Sequence, residues 1–225
     1  MSLRHALLAL VEAGAMTGYE LAKWFDQSVA YVWHARHSQI YTELRRLEGE
    51  GLVVAETLPR GDRALATKRA YTLTAAGAEE LRRWVAEIAA PPAMRDPAYV
   101  KATYLEYGSY RRAREQFRAH RAHYETLRDH YERHVDELER RATALLRRRL
   151  AHAPESTHEA IVAYKVHAYR GLVERTKTEI AWAERGLELV DRLADAAGTR
   201  AADDDPVLPP AAIGDPAGPD DARPI

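Results

Sequence analysis

Side chains able to form hydrogen bonds are concentrated in one segment of the sequence, His37–Gly51, which reads HSQIYTELRRLEGEG. Within it Ile40, Leu44 and Leu47 recur at helical spacing, which predicts an amphipathic helix with a narrow apolar stripe. Ser38 is the expected N-cap, and the closing glycine is a suitable stop. Side chains off the stripe have the reach to contact base edges or phosphates in a DNA groove. The candidate DNA-binding residues of this helix are Ser38, Gln39, Tyr41, Thr42, Arg45 and Arg46.

Simpler roles are available to three of these side chains. Tyr41 could pack partly against the apolar stripe instead of contacting DNA. Arg45 and Arg46 lie near several glutamates and could belong to an ordinary solvated helix face. For the two arginines, their location on the third helix of a complete winged domain favours DNA contact.

A basic hairpin is predicted directly after this helix. Its strands cover Leu52–Leu58 and Arg69–Thr74, and cations lie near both ends of the loop between them. A helix with exposed donors followed by such a hairpin suits a recognition helix in the major groove with a wing on adjacent phosphates. The candidate DNA-binding residues of the wing are Arg60, Lys68 and Arg69.

The elements around this pair are those that a winged helix-turn-helix requires. A first helix is predicted over Leu3–Ala13, capped by Ser2. The run Thr17-Gly18-Tyr19-Glu20 is a capping box that opens a second helix extending to about Gln27. After the hairpin, another helix is expected from Ala75 to about Ala89. The predicted order is therefore helix, helix, recognition helix, two-stranded wing and helix.

Four motifs make the resemblance more particular. LRHALLAL, GYELAKWF, HSQIYTELRRLEGEGLV and RAYTLTAAGAEELRRWV together resemble the PadR family of bacterial transcriptional regulators, in the family's order. The long remainder is similar to the family's subgroup with a virulence-activator-like C-terminal domain, so the likeness spans roughly residues 1–195. This resemblance implies a homodimer that binds palindromic operator DNA and is released by a small effector, often phenolic. It favours repression over activation.

The second half of the chain is predicted to be almost entirely helical. Asp96-Pro97 begins a short helix that Gly108 ends, and Ser109 caps a long helix reaching about His152. After a break and another capping box, Ser156–Glu159, a final helix carries apolar residues at heptad spacing. The fold class is mainly α: a winged helix-turn-helix over residues 1–90, then an antiparallel helical hairpin for dimerisation over 96–197 and a disordered acidic tail over 198–225.

Apolar residues on the last helix cover more surface than one hairpin can bury, so a second subunit is the expected cover. The candidate dimerisation residues are Leu7, Val166, Val173, Ile180 and Leu187.

Two groups of aromatic residues are suited either to ordinary packing or to forming a flat pocket for a small aromatic effector. Before the recognition helix these are Trp24, Phe25, Tyr31 and Trp33, and the candidate effector-binding residues are Tyr99, Tyr104, Tyr107 and Trp182.

Four histidines lie within an arc of one predicted helix face: His120, His123, His130 and His134. The last two have the i, i+4 spacing of a metal-binding pair, but no carboxylate completes an obvious ligand set. Metal binding and a pH switch are therefore the less favoured interpretations, with partly buried heptad histidines as the alternative. Neither a metal nor a cofactor is expected.

Composition limits the remaining function classes. The chain has 225 residues and no cysteine, and it lacks a membrane-length apolar run, a P-loop and the usual hydrolase and dinucleotide motifs. A cytoplasmic protein without enzymatic activity is expected. Residues 1–85 contain eleven Lys and Arg against ten Asp and Glu, so DNA binding must depend on local placement of cations. The rival hypothesis is a helical scaffold or metal-sensing protein without sequence-specific DNA binding.

Overall fold

A computed structural model of the chain describes residues 3–28, 35–60, 63–90, 95–198 and 207, without the side chains of residues 59, 60 and 63–66. Tyr31, Trp33, the Ser2 cap and nearly all of the predicted tail lie outside these residues. The N-terminal elements are α1 (Leu3–Val11), β1 (Met16–Thr17), α2 (Gly18–Ser28), α3 (His37–Gly49), β2 (Val53–Arg60), β3 (Arg63–Leu73) and α4 (Ala75–Ala86). The later elements are α5 (Pro97–Ala102), α6 (Tyr110–Glu139), α7 (Ala144–His152) and α8 (His158–Ala196), with 3-10 turns at Leu105–Tyr107 and Glu155–Thr157.

The predicted capping box at the start of α2 is confirmed. The Thr17 amide donates to Glu20 Oε2 at 2.8 Å, and the Glu20 amide donates to Thr17 Oγ1 at 3.2 Å. These bonds hold the pKa of the Glu20 carboxyl below its ordinary value, with the backbone bond as the largest cause. Two helices end earlier than expected, α1 at Val11 and α4 at Ala86.

The expected N-cap of α3 is wrong by two residues. The helix begins at His37 with Arg36 as its N-cap, so Ser38 lies inside the first turn. The Arg36 amide donates to Gln39 Oε1 at 2.8 Å. Gln39 therefore performs the side-chain part of a capping box, which a serine-based assignment overlooks.

The wing is longer than predicted and belongs to a three-stranded antiparallel sheet in the order β1-β3-β2. Strands β2 and β3 extend into the predicted loop, and Lys68 and Arg69 are paired strand residues opposite Leu58 and Thr57. Strand β1 was not predicted, because its two residues are too few to display an alternating pattern.

An apolar core holds the described part of the winged domain together. Leu7, Leu8, Leu21, Phe25 and the apolar stripe of α3 are all fully buried in it, along with residues of β1 and β2. Burying large apolar side chains stabilises by about 1.5–3 kcal/mol each relative to exposure. Because this core takes the inner face of α3, the polar side chains of that helix are left outside.

The single long helix expected from Ser109 to about His152 is wrong. Helix α6 ends at Glu139, and Arg141 has a positive φ of 54°. The Thr143 hydroxyl then accepts a hydrogen bond from the Leu146 amide at 3.3 Å, which caps α7. A left-handed residue followed by an N-cap divides the helix, and the heptad pattern gives no sign of it because leucines continue beyond the break.

Packing divides the chain into two units, one made of Met1–Pro91 with Asp136–Val166 and the other of Pro92–Val135 with His167–Ile225. This division differs from the predicted domains, because α7 packs with the winged domain. In that unit Arg149 Nε lies 2.8 Å from Glu12 Oε2, and Arg148 Nε donates to the Ala13 carbonyl at 3.3 Å.

In the second unit, α6 and α8 pack antiparallel, as predicted. Ring contacts join Phe117 to Trp182 and Tyr131 to Tyr169. Residues later in α6 therefore contact residues earlier in α8, as antiparallel packing requires. The predicted seam of α8 is buried at Val173, Thr176, Ile180, Ala183, Val190 and Ala194. No helix among the described residues is long and apolar enough to cross a membrane.

Candidate nucleic-acid interface

The recognition helix turns its polar side outward because Ile40, Leu44 and Leu47 are completely buried. At 3.6 residues per turn, the side opposite this stripe carries the predicted contact residues. All of them are exposed: Ser38, Gln39, Tyr41, Thr42, Arg45 and Arg46. The structure therefore brings the helix candidates together on one surface.

Two of these side chains already have bonds within the helix. Gln39 Oε1 is occupied by the Arg36 amide, and Thr42 Oγ1 donates to the Ser38 carbonyl at 2.9 Å. Gln39 therefore has its amide donors left for a ligand, and Thr42 keeps only acceptor capacity while this bond lasts. Arg45 is the exposed donor whose guanidinium has no ion-pair partner among the described side chains.

Tyr41 is both packed and exposed, although the sequence left open whether it packs against the apolar stripe or faces DNA. The side chain is 40% exposed, yet its ring lies against Gly18 at the start of α2. A Cβ atom on Gly18 would come within 2.6 Å of Tyr41 Cε1. The missing side chain of Gly18 is thus what allows the ring to lie between α2 and α3.

Two of the cations on the recognition helix and the wing, Arg46 and Arg69, form ion pairs with glutamates of the same unit. Arg46 Nε lies 2.9 Å from Glu50 Oε1, and Arg4 pairs with the same carboxylate. These guanidiniums hold the pKa of the Glu50 carboxyl below its ordinary value, the hydrogen bond from Arg4 being the largest cause. On the wing, Arg69 pairs with Glu48 of α3.

Lys68 and Arg69 are the described cations of the wing. Both are exposed, and Lys68 has no ion-pair partner within the described part of the chain. The Arg69 guanidinium also lies 5.9 Å from the centre of the ring of Tyr71, a buried residue of the same strand. The backbone of Arg60 ends β2, but its side chain lies outside the described atoms, so its predicted contact is not addressed by the structure.

The effector candidates separate into two groups in the second unit. Tyr99 and Trp182 contact each other, with ring centroids 4.6 Å apart, and Phe117 lies 5.3 Å from Trp182. Tyr104 and Tyr107 are instead largely exposed. Of the four candidates, Trp182 alone lines the cavities described next. The structure therefore brings together two of the four predicted residues.

Two cavities of about 460 and 270 Å³ flank Trp182. The larger one is within the usual size range of small-molecule sites. Ala102, Leu105, Phe117 and Trp182 line both, while charged groups border each cavity separately. The larger cavity includes Glu106 and Arg185, and the smaller one includes Lys101 and His120.

A buried carboxylate that the sequence analysis overlooked lies beside these cavities. Glu179 is only 7% exposed, and its Oε2 accepts a hydrogen bond from the Tyr99 hydroxyl at 3.0 Å. His120 Nε2 lies 3.1 Å from the same oxygen. Burial, followed by the bond to Glu179, raises the pKa of Tyr99. The sequence separation of these residues gave no signal that they meet.

His130 and His134, the pair with the i, i+4 spacing, both make ring contacts. His130 and His134 stack with centroids 6.4 Å apart, and His134 lies 4.3 Å from Tyr169. Within the described residues, no group of three or more His, Cys, Asp or Glu side chains is arranged to hold a metal ion.

The predicted dimerisation residues are largely buried by their own chain. Leu7 is fully buried in the winged-domain core, and Val166, Val173 and Ile180 are each less than a tenth exposed. Leu187 packs against the cluster around Phe117. The large apolar side chains left exposed on α8 include Leu189 and Leu193, at 42% and 46%. They line the larger cavity.

Comparison with known sequences agrees with this geometry. Residues 7–83 match the Transcriptional regulator PadR-like family. The winged segment is therefore similar to the PadR-like family. The matched residues begin within α1 and end within α4, so they include the recognition helix and both strands of the wing.

Two curated relatives align with part of the chain. The negative transcriptional regulator PadR of Bacillus subtilis is 32% identical over 117 residues, which are 52% of this chain and 63% of that protein. A probable transcriptional regulator of Mycobacterium tuberculosis is 42% identical over 91 residues, or 40% of this chain and 47% of that protein. The chain thus matches less than two thirds of the length of either relative.

Solved structures of Bacillus subtilis PadR extend the likeness beyond the winged segment. The complex with operator DNA has a TM-score of 0.65 and 25% identity, covering 84% of this chain and 99% of that one. The complex with p-coumaric acid has a TM-score of 0.61 and 24% identity, covering 84% and 98%. The predicted fold, a winged helix-turn-helix followed by long helices, is therefore confirmed.

Proposed function

We propose that this PadR-like chain is a cytoplasmic DNA-binding repressor, not an enzyme, and that a small aromatic effector releases it from its operator. The observation that carries the proposal is the exposed polar side of α3, next to a wing that presents Lys68 and Arg69. The operator complex of Bacillus subtilis PadR, which has the same fold, supports it.

In this proposal α3 enters the major groove and the wing lies along the adjacent backbone. Arg45, whose guanidinium is free of described ion pairs, reads a base edge together with the Gln39 amide. Ser38, Tyr41, Thr42 and Arg46 contact bases or phosphates from the same side of the helix. Arg60, Lys68 and Arg69 bind phosphates, which adds affinity without reading sequence.

Selection of bound duplexes from a random library identifies the operator sequence, and mobility shift then measures its affinity for the chain. Arg45→Ala is expected to cost about 1–3 kcal/mol on the selected sequence, or roughly 5- to 150-fold in Kd. Arg82→Ala is the matched control, because Arg82 is an exposed arginine on α4 that pairs with Glu79. If no sequence is enriched even at low salt, the scaffold hypothesis is favoured.

A homodimer is part of the same proposal, since two-fold symmetry places two recognition helices on one duplex. The selected sequences should then be palindromic, with half-site centres about 34 Å apart. Sedimentation of the full chain measures the mass directly. Leu189→Glu with Leu193→Glu targets exposed apolar residues of α8, whereas changes at Val173 or Ile180 would disturb packing inside one chain. A monomer that binds a palindrome tightly would contradict the dimer.

The effector is proposed to enter the cavities beside Trp182. Trp182 and Phe117 supply aromatic surface to both cavities, and Tyr99 packs against Trp182 from outside their linings. Tyr104 and Tyr107 contribute only if they turn inward from their exposed positions. A ligand shifts a conformational equilibrium only through its difference in affinity for the two forms. The p-coumaric acid complex of Bacillus subtilis PadR supports a phenolic ligand as the first compound to test.

A further inference from the structure

Two carboxylates lie beside the polar side of the recognition helix, where an approaching phosphate backbone would be repelled. Glu48 lies in the last turn of α3, and Glu50 is the residue that caps its C-terminal end. Glu48 is on the flank that meets the wing, because it pairs with Arg69 of β3. Glu50 is on the flank that meets α1, because it pairs with Arg4 as well as Arg46.

These pairs occupy half of the cations that the helix and the wing present in the described structure. Arg46 and Arg69 are held by glutamates, while Arg45 and Lys68 are not. All four are exposed. A cation already paired with a carboxylate releases fewer counterions from DNA, so it adds less to binding that depends on phosphates alone.

The pairs are also of a kind that can open. The side chains of Arg46 and Arg69 are 65% and 46% exposed, and those of Glu50 and Glu48 are 37% and 29% exposed. Exposed ion pairs contribute little to stability, because water solvates the separated charges well. A phosphate oxygen held close to either guanidinium is therefore able to replace the carboxylate.

We infer that Glu48 and Glu50 are specificity residues, which keep Arg69 and Arg46 from phosphates on unrelated DNA and release them on the operator. This inference rests on the proposed function. Base contacts by α3 fix the depth of the helix in the groove, and only then do phosphates reach the paired guanidiniums. On unrelated DNA the helix lacks that anchor, the pairs stay closed, and affinity rests on fewer cations.

The test compares the selected operator with a scrambled duplex of the same length, using the full chain and a salt titration. In Glu48→Gln, affinity for the scrambled duplex should rise roughly 3- to 10-fold, and its log–log salt slope should steepen by about 1. Affinity for the operator should change less than threefold. Glu50→Gln should act in the same way, and Glu48→Asp should retain the discrimination of the parent.

Glu79→Gln is the control for net charge, because Glu79 is an exposed glutamate on α4 that pairs with Arg82. Should Glu48→Gln and Glu50→Gln raise both affinities by one common factor, or no more than Glu79→Gln does, the inference is overturned. If Glu50→Gln loses the Arg4 contact and unfolds, Glu48→Gln alone decides. A parent chain that prefers no sequence at all would instead overturn the proposed function, and this inference with it.

Discussion

The ring of Tyr41 on the recognition helix lies directly against Gly18, the first residue of α2. The fit is close enough that a methyl group on Gly18 would come within 2.6 Å of Tyr41 Cε1. One glycine without a side chain thus sets the position of a candidate DNA contact 23 residues later in the chain. This contact joins the start of α2 to the exposed side of α3.

Gly18→Ala should therefore lower operator affinity by displacing the Tyr41 ring. We expect a loss of at least about fivefold, while the free energy of unfolding changes by less than about 1 kcal/mol because the ring can move into solvent. Mobility shift and urea unfolding measure the two quantities. Gly171→Ala on α8 is the control, since no atom lies within 4 Å of its added methyl. Parental affinity in Gly18→Ala would mean that the ring position does not matter for binding.

Gln39→Ala should reduce stability as well as DNA binding, because Gln39 Oε1 accepts the Arg36 amide at the start of α3. Loss of the cap is expected to cost about 1 kcal/mol in unfolding free energy. Gln39→Glu preserves the acceptor, so its stability should match the parent while its added negative charge weakens DNA binding. Urea unfolding of the two variants separates the roles. Equal stability in all three proteins would exclude a capping role.

The unit that contains the winged domain should become more stable as the pH rises above 8, because the charged form of Lys165 is disfavoured by burial in the folded chain. Burial lowers the pKa of its ammonium to about 8 from 10.5, Arg149 adds to the effect, and Glu12 opposes it. Between these values the unfolded chain binds a proton that the folded chain does not, so this residue's contribution to stability rises with pH. Below pH 8 both states are protonated, and the destabilisation is fully present.

Lys165→Met removes that titration, and its advantage over the parent should be largest near pH 7 and shrink towards pH 10. About 2 kcal/mol is expected at pH 7, allowing for partial solvation of the side chain. The control is Lys177→Met, because Lys177 is an exposed lysine of the same helix. Urea unfolding at pH 7 and pH 10 gives the difference, and a pH-independent gap would refute the assignment.

Trp182 should report effector binding, because it lines both cavities of the second unit. Titration with p-coumaric acid is expected to quench the fluorescence of the parent and much less that of Trp182→Phe. Trp182→Ala should need roughly tenfold more ligand for operator release, because it loses the aromatic wall of the site. Trp84→Phe, in α4 next to His5, is the control. Full quenching that leaves operator affinity unchanged would separate binding from release.

The order of elements in the winged domain could be read from the sequence because each has a local cause. Apolar spacing predicted α3, and the sequence Thr17-Gly18-Tyr19-Glu20 predicted the start of α2, where Thr17 and Glu20 form the reciprocal bonds of a capping box. Heptad spacing likewise predicted the buried seam of α8, from Val173 to Ala194. In these cases the signal and the structure involve residues within a few turns of each other, so periodicity suffices.

Other features depend on residues that meet only after folding. Strand β1 exists because Met16 and Thr17 pair with Tyr71 and Ala70, and two residues carry no alternation of their own. The break after α6 depends on the left-handed conformation of Arg141, which no glycine announces. Both were missed because neither one leaves a periodic trace.

The same division applies to the candidate sites. The sequence by itself determined which side of α3 is polar, because burial of Ile40, Leu44 and Leu47 leaves only one arrangement. Only the tertiary structure decided that Arg69 pairs with Glu48 and that Tyr99 and His120 meet at Glu179. Hydrogen bonds and ion pairs act over a few ångströms in space. Their partners, which are 21, 80 and 59 residues apart along the chain, are therefore set by how the elements pack.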